Sequence, residues 1–302
     1  MEVKKGRKWG ITGDKGFIGT NLRYYLYSKD IEYKVMDIKT SPSQDICNYD
    51  SCLEFCEDVD VVVHLAANTE VPNSIRDPHY DANTNIMGTL NMLYASVAKA
   101  VDKFILASSG AVTGLTSPPI QETTFPRPIS PYGVSKLAAE HYCFVFSKLY
   151  MMDTYCLRFS NVYGPHSTYK NSVVAKFIRQ ALKGEDLEIF GDGAQTRDFI
   201  YVDDLINVII KLADSEYRHH TFQVATGQET TIQELAEKIG LLVTEHTKKP
   251  IKVLNSEPRV GDIKYNFSDI TKITTMLDWK PTRTLDQGLE KTLTSFLNSD
   301  IL

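Results

Sequence analysis

TGDKGFIG, Thr12 to Gly19, decides how the rest of this chain is read. It follows the apolar run KWGI and opens the helix-like stretch GTNLRYYLYSK. Glycines fall at 13, 16 and 19. Lacking Cβ atoms, they allow a tight turn, a close approach of backbone to a pyrophosphate, and close helix–strand packing. The helix that follows offers free N–H groups and a partial positive charge to phosphates. Gly13, Gly16, Phe17, Ile18 and Gly19 are therefore candidate dinucleotide contacts. Asp14 is an acid in an anion-binding loop. Its side chain is expected to point outward, with Lys15 offsetting its charge.

Asp37 closes the second apolar run 18 residues after Gly19. A carboxylate there accepts hydrogen bonds from ribose hydroxyls and repels a 2′-phosphate, which favours NAD over NADP. Lys39 works against that preference. HLAA, 64–67, ends the third run in small side chains, so Leu65, Ala66 and Ala67 can pass close under a dinucleotide.

Outward from the loop, apolar runs (YKVMDI, DVDVVVHLAA, KFILASS, DTYCLRF) alternate with amphipathic stretches, the longest being PYGVSKLAAEHYCFVFSKLY. Near-continuous apolar strands separated by helices imply a parallel sheet covered on both faces, with right-handed crossovers. The expected fold class is α/β: a Rossmann-type doubly wound parallel sheet with a smaller, discontinuous α/β substrate domain. After about residue 165 the texture changes to short helices and small strands, yet TFQVATG would complete the first sheet. The division places 1–165 and 205–226 in the dinucleotide-binding domain, and 166–204 with 227–302 in the second. The ligand cleft should lie between them, at the carboxyl ends of the strands.

Composition narrows the function classes. The 302 residues are 42% hydrophobic and 24% charged, as in an ordinary globular protein. A net charge of −5 leaves no footprint for nucleic acid or an anionic membrane. No apolar run is long enough to span a bilayer, and no apolar signal core opens the chain, so a cytoplasmic location is expected. Cys47, Cys52, Cys56, Cys143 and Cys156 are odd in number, which argues against a disulfide framework. The spacing of the first three fits no common zinc pattern, and no metal is expected.

Tyr132 and Lys136 stand four apart in SPYGVSK, with Ser130 as a candidate N-cap and Pro131 in the first turn. That spacing puts both side chains on one helix face. An ammonium about 4 Å from a phenol contributes about 4 kcal/mol at an effective dielectric of 20. The phenol pKa is then expected to fall toward operating pH, making a base that can take a hydroxyl proton while hydride leaves the same carbon. Tyr25 and Lys29 repeat the spacing but lie on the helix after the glycine loop, where they read as exposed surface. Context singles out the later pair. Ser108 and Ser109 end the preceding strand, 24 and 23 residues before Tyr132. A parallel sheet brings them toward it, and Ser109 can then hydrogen-bond the reacting oxygen. Ser108, Tyr132 and Lys136 are candidate cofactor contacts as well.

Together with NIMGTLNML, SSGAVTG, RFSNVYGP, GDGAQTRDFIYVDD and EPRVGD…LDWKPT, these motifs resemble the extended short-chain dehydrogenase/reductase family, in its nucleotide-sugar epimerase/dehydratase branch. The resemblance covers nearly the whole chain. It implies that Asn85 lies beside the cofactor and that Asp45 and Ile46 contact the adenine. It also implies that Asn161 meets the substrate phosphate or sugar, that Arg197 and Arg259 clamp its diphosphate, and that Asp262 contacts its ribose. Convergent guanidiniums suit a diphosphate because each donates parallel hydrogen bonds. A homodimer is implied too, through a four-helix bundle of helices near 85–100 and 131–150.

Dehydratases of this branch carry Asp-Glu after the hydroxyl residue, and related decarboxylases carry a glutamate. Here Gly110 and Ala111 follow Ser109, and neither can transfer a proton. The resemblance thus implies an NAD-dependent 4-epimerase of a nucleotide sugar, a UDP-sugar above all, working by transient oxidation at C4. A 4,6-dehydratase or keto-sugar reductase of the same family is the alternative. A non-catalytic dinucleotide sensor is a further one, against which the Tyr–Lys pair argues. Thr113 stands where the family has tyrosine, and is expected to reshape the pocket floor. Asn266 lies near a position that limits substrate size.

Overall fold

All four residues of Trp9–Thr12 are buried, because an apolar strand in the middle of a parallel sheet has no solvent face. This strand, β1, leads through the glycine loop into α1 (Phe17–Ser28). The computed structural model describes residues 6–258 and 263–299. After α1 come β2 (Tyr33–Met36), α2 (Tyr49–Cys56), β3 (Val61–His64), α3 (Val71–Arg76), α4 (Pro78–Ala82) and, after a short π-helical turn, α5 (Gly88–Ala98). Next are β4 (Lys103–Ser109), α6 (Pro131–Tyr150), β5 (Asp153–Phe159), β6 (Asn161–Tyr163) and α7 (Val173–Leu182). Then follow β7 (Leu187–Phe190), β8 (Thr196–Arg197), β9 (Phe199–Tyr201), α8 (Val202–Asp214) and β10 (His220–Val224). The chain ends with β11 (Thr230–Thr231), α9 (Ile232–Thr247), β12 (Val253–Ser256), α10 (Thr271–Leu277) and α11 (Leu285–Leu297).

The central sheet has the order β10-β5-β4-β3-β1-β2, and every pairing in it is parallel. TFQV therefore does complete the first sheet, as its edge strand. The chain runs outward from β1 in one direction to β2 and in the other to β3, so the strand order reverses beside β1. That is where a doubly wound sheet opens a crevice at its carboxyl edge.

Helices cover both faces. Leu22 and Leu26 of α1 pack with Ile206 and Ile209 of α8 on one side. Phe55, Met92, Ala139 and Phe146 of α2, α5 and α6 pack on the other. A third core, built around Phe177, Ile178, Leu235, Ile239 and Phe296, binds α7, α9 and α11 to β7 and β9. Ile273, Leu277 and Trp279, from the C-terminal stretch, join the first core rather than the third. All five cysteines are free, and Cys52, Cys56, Cys143 and Cys156 are buried as packing residues.

Candidate active site

Ser130 caps α6 as its sequence suggests: its hydroxyl accepts from the Gly133 amide at 3.1 Å. A Cβ on Gly133 would lie 2.6 Å from the Ala111 carbonyl oxygen. The bare glycine thus lets the first turn of α6 sit directly on the residues after β4. That approach brings Tyr132 to Ser109, whose hydroxyl favours the phenolate. Lys136 follows one turn later, 2% exposed, with its Nζ 6.0 Å from the centre of the Tyr132 ring.

The electrostatics differ from the sequence expectation. Burial pushes the Tyr132 phenol up to about 12, and Ser109 offsets only part of this. Burial also pulls Lys136 down to about 8. Desolvation is the largest cause of both shifts, and helix spacing alone does not reveal it.

These residues form one end of a cavity of about 580 Å³ that follows the carboxyl edge of the sheet. Its wall contains Gly13, Gly16, Phe17, Ile18, Gly19, Asp37, Asp45, Ile46, Leu65, Ala66, Ala67, Ser108, Ser109, Tyr132, Lys136 and Asn161. Gly13 has φ +73°, and a Cβ there would lie 2.7 Å from the Ala66 amide nitrogen. A Cβ on Gly19 would meet the Gly13 carbonyl oxygen at 2.4 Å. The loop is a cradle that side chains would fill. Asp37 is held at its rim, one oxygen accepting from the Lys15 amide (2.9 Å) and the other from the Lys39 amide (2.8 Å). Each oxygen keeps a lone pair for a ribose hydroxyl. These features fit a dinucleotide.

Gly13→Ala is expected to strain the loop by roughly 1–3 kcal/mol. If the loop opens to relieve it, NAD affinity falls by about tenfold or more. Calorimetric titration of NAD checks this, and unchanged affinity counts against the cradle.

Other expectations are corrected. Asp14 does not point outward. It is fully buried, with ion-pair contacts to Arg23 (3.4 Å) and Lys15 (3.9 Å) but no hydrogen-bond partner on either oxygen. Burial raises its pKa, with Arg23 pulling the other way. A raised pKa makes ionisation costly above the folded value and costless below the unfolded one. Asp14→Asn is therefore expected to be more stable than the parent at about pH 8, the gain fading toward about pH 4. Thermal melts across that range check it; a gain that grows toward acid contradicts it.

Asn85 lies behind the cavity wall. Its Nδ2 is directed at the Asn68 carbonyl (3.0 Å), Asp81 Oδ1 (3.1 Å) and Ser135 Oγ (3.1 Å), while its Oδ1 accepts from the Asn68 amide (2.9 Å). Arg197 is also absent from that wall, and its Nη1 donates to the carbonyls of Thr196 and Ile263. Arg259 and Asp262 lie outside the described residues. Thr113 is fully buried and its hydroxyl donates to the Gly110 carbonyl (2.8 Å), so it closes a turn instead of shaping the cavity floor. Asn266 is half-buried and away from the wall. His64 of HLAA bridges Thr12 (2.8 Å) and Thr89 (3.1 Å), and burial holds it neutral with a pKa of about 3.

The segment 165–172 supplies wall residues the sequence did not announce, notably Tyr169 and Lys170. Lys39 lies over the Tyr169 ring at 5.2 Å, and Arg179 donates to the carbonyls of Thr168 and Lys170. Asp198 was missed too. It is buried beside Asn161, and its carboxylate accepts from Thr226 N (2.8 Å), Thr226 Oγ1 (2.7 Å) and Gly227 N (2.9 Å). It ties β9 to the loop after β10.

Residues 9–225 match the NAD dependent epimerase/dehydratase family. The chain belongs to that family. A relative described as a putative UDP-glucose 4-epimerase, from Methanocaldococcus jannaschii, is 32% identical, over 96% of this chain and 98% of its own length. The crystal structure of UDP-glucose 4-epimerase from Thermotoga maritima, with UDP-glucose, superposes with a TM-score of 0.88. It is 32% identical and is covered over 98% of its length by 96% of this chain. The UDP-N-acetylglucosamine 4-epimerase of Methanobrevibacter ruminantium M1, in complex with UDP-N-acetylmuramic acid, also has a TM-score of 0.88, at 31% identity over 97% and 99% of the two chains. Family membership agrees with the six-stranded parallel sheet and the glycine cradle, and makes the protein NAD-dependent.

Proposed function

We propose that this protein is a nucleotide-sugar 4-epimerase acting on a UDP-sugar, as its relatives are described to do. One observation carries the choice within the family. Tyr132, Ser109 and Lys136 converge at one end of the cavity, and among the described wall residues no carboxylate or imidazole stands beside them. Gly110 and Ala111 occupy the positions after Ser109. Asp37 and Asp45, the carboxylates in the described wall, stand at or beyond the end of β2, three strand positions from β4. That is about 14 Å at about 4.8 Å per strand. Elimination of water needs an extra proton donor at the reacting end. Oxidation and re-reduction at one carbon does not.

Bound NAD would accept hydride and return it, so none is consumed. The chain's own residues do the rest. Tyr132 takes the hydroxyl proton of the sugar and later gives it back. Ser109 hydrogen-bonds that oxygen. Lys136, still protonated at neutral pH, favours the phenolate. The raised phenol pKa means the base is weakly ionised until further positive charge enters the site. Asp37 would hold the adenosine ribose, Asp45 and Ile46 the adenine, and Gly13, Gly16 and Gly19 the pyrophosphate. Asn161 would meet the sugar nucleotide. Incubation of the purified protein with UDP-glucose, UDP-N-acetylglucosamine and UDP-glucuronic acid tests this by NMR. Failure of all three to give a C4 epimer, with NAD bound, sinks the reading.

The two-part division fits the separate cores, with the stretch 270–279 docking on the first. A homodimer fits the exposed apolar side chains on α5 and α6, among them Tyr94, Val134, Phe144 and Leu149. Sedimentation as a monomer at micromolar concentration overturns that part. Free cysteines suit a reducing compartment such as the cytoplasm. Among the described residues no helix is long and apolar enough to cross a membrane.

A further inference from the structure

We propose that Asp81 is a positioning residue for the Tyr132–Lys136 pair: it anchors their helix through Asn85 and Ser135, and it supplies the buried negative charge facing them. The proposal rests on the reading of that pair as the catalytic base and its partner.

Asp81 lies on α4, near residues that line the cavity. Tyr80 and Asn83 line the cavity, whereas Asp81 turns inward and is 1% exposed. Its Oδ1 receives Asn68 Nδ2 (3.2 Å) and Asn85 Nδ2 (3.1 Å). Asn85 Nδ2 also reaches Ser135 Oγ (3.1 Å), which donates to the Tyr132 carbonyl (3.0 Å). One chain of polar contacts therefore runs from Asp81 to the first turn of α6. It also fixes the loop after β3, through the Asn68 amide.

Oδ2 of Asp81 is buried with no hydrogen-bond partner. A buried carboxylate with an unused oxygen is costly unless a cation lies near. The Lys136 ammonium is the cation whose charged form Asp81 favours. Among the groups that favour its charged form, Asp81 comes first, ahead of Cys143 and Glu140. Asp81 also raises Tyr132. The other charged or titratable groups around the pair do not replace it. Glu140, on α6 itself, is engaged by Arg158 from β5. His64, on β3, is held neutral. Arg76, on α3, is exposed and bonds Asn73.

Asp81→Asn keeps an oxygen for both amides and removes the charge. Loss of a nearby negative charge makes both Tyr132 and Lys136 give up their protons more readily. Both limbs of the pH profile of kcat/KM are therefore expected to move toward acid, by about one pH unit. The Lys136 ammonium, followed by ¹⁵N NMR, is expected to titrate lower by a similar amount. Asp81→Glu, which keeps the charge, should leave the limbs close to the parent. A purely structural role lowers kcat but leaves limbs and titration in place, and that outcome in folded Asp81→Asn overturns the proposal. If Asp81→Asn does not fold, Asp81→Ser, with room for a water at the amides, gives the same reading. Full turnover by Tyr132→Phe overturns the underlying reading as well; unmoved limbs beside an inactive Tyr132→Phe overturn this proposal alone.

Discussion

Tyr132→Phe is expected to lower kcat by about 10²–10⁴ while NAD remains bound. The ring is 9% exposed and packed at the head of α6, so phenylalanine fills the same space. What is lost is one hydroxyl near Ser109, and with it the group proposed to exchange a proton with the sugar. Positioning and hydride chemistry persist, which sets the residual rate. The acid limb of the pH profile, which reports ionisation of the phenol, should vanish with the hydroxyl. Steady-state assays and NAD content after denaturation check both halves. Retained turnover with NAD bound moves the base elsewhere. Loss of NAD along with turnover makes Tyr132 a binding residue first.

The parts of this site that were legible in the sequence are those fixed by local geometry. Three glycines at a strand-to-helix turn are required by contacts within a few residues: the Cβ of Gly19 would strike the backbone of Gly13. The Ser130 cap and the Tyr132–Lys136 face follow from helix periodicity alone. Where long-range packing decides, the reading failed. Nothing local turns Asp14 inward; Arg23, one helix face away, draws it. Asn85 is held just behind the cavity wall by Asp81 and Ser135, four and fifty positions distant, which take up its amide. Tyr169 and Lys170 lie in a stretch without periodicity, and only the meeting of the two halves puts them in the wall. The sign of the Tyr132 shift depends on how completely the pair is buried, which no spacing reveals.

The largest stability effect is expected at Glu140, which lies on the same helix face two turns beyond Tyr132. Glu140 and Arg158 are each about one-twentieth exposed and form a bidentate pair, with Nε to Oε1 at 2.9 Å and Nη2 to Oε2 at 2.7 Å. Glu140 also accepts from the Ser108 hydroxyl at the end of β4. Glu140→Gln keeps the size but removes the paired counter-charge, leaving the guanidinium a carbonyl contact to Glu122 at 3.4 Å and the lesser pull of the Glu122 carboxylate. Removing one partner of a buried pair costs about 3–5 kcal/mol, mostly the desolvation of the orphaned charge. Replacing both partners with apolar residues of similar volume is often close to neutral. Glu140→Met with Arg158→Met should therefore be more stable than Glu140→Met alone. Urea unfolding of the parent, both single variants and the double gives the coupling directly. A double variant as unstable as the sum of the singles shows that the pair acts through shape rather than charge. If Glu140→Gln melts with the parent, Arg158 has found another acceptor, and Ser108 is then the residue whose position should be examined by its effect on turnover.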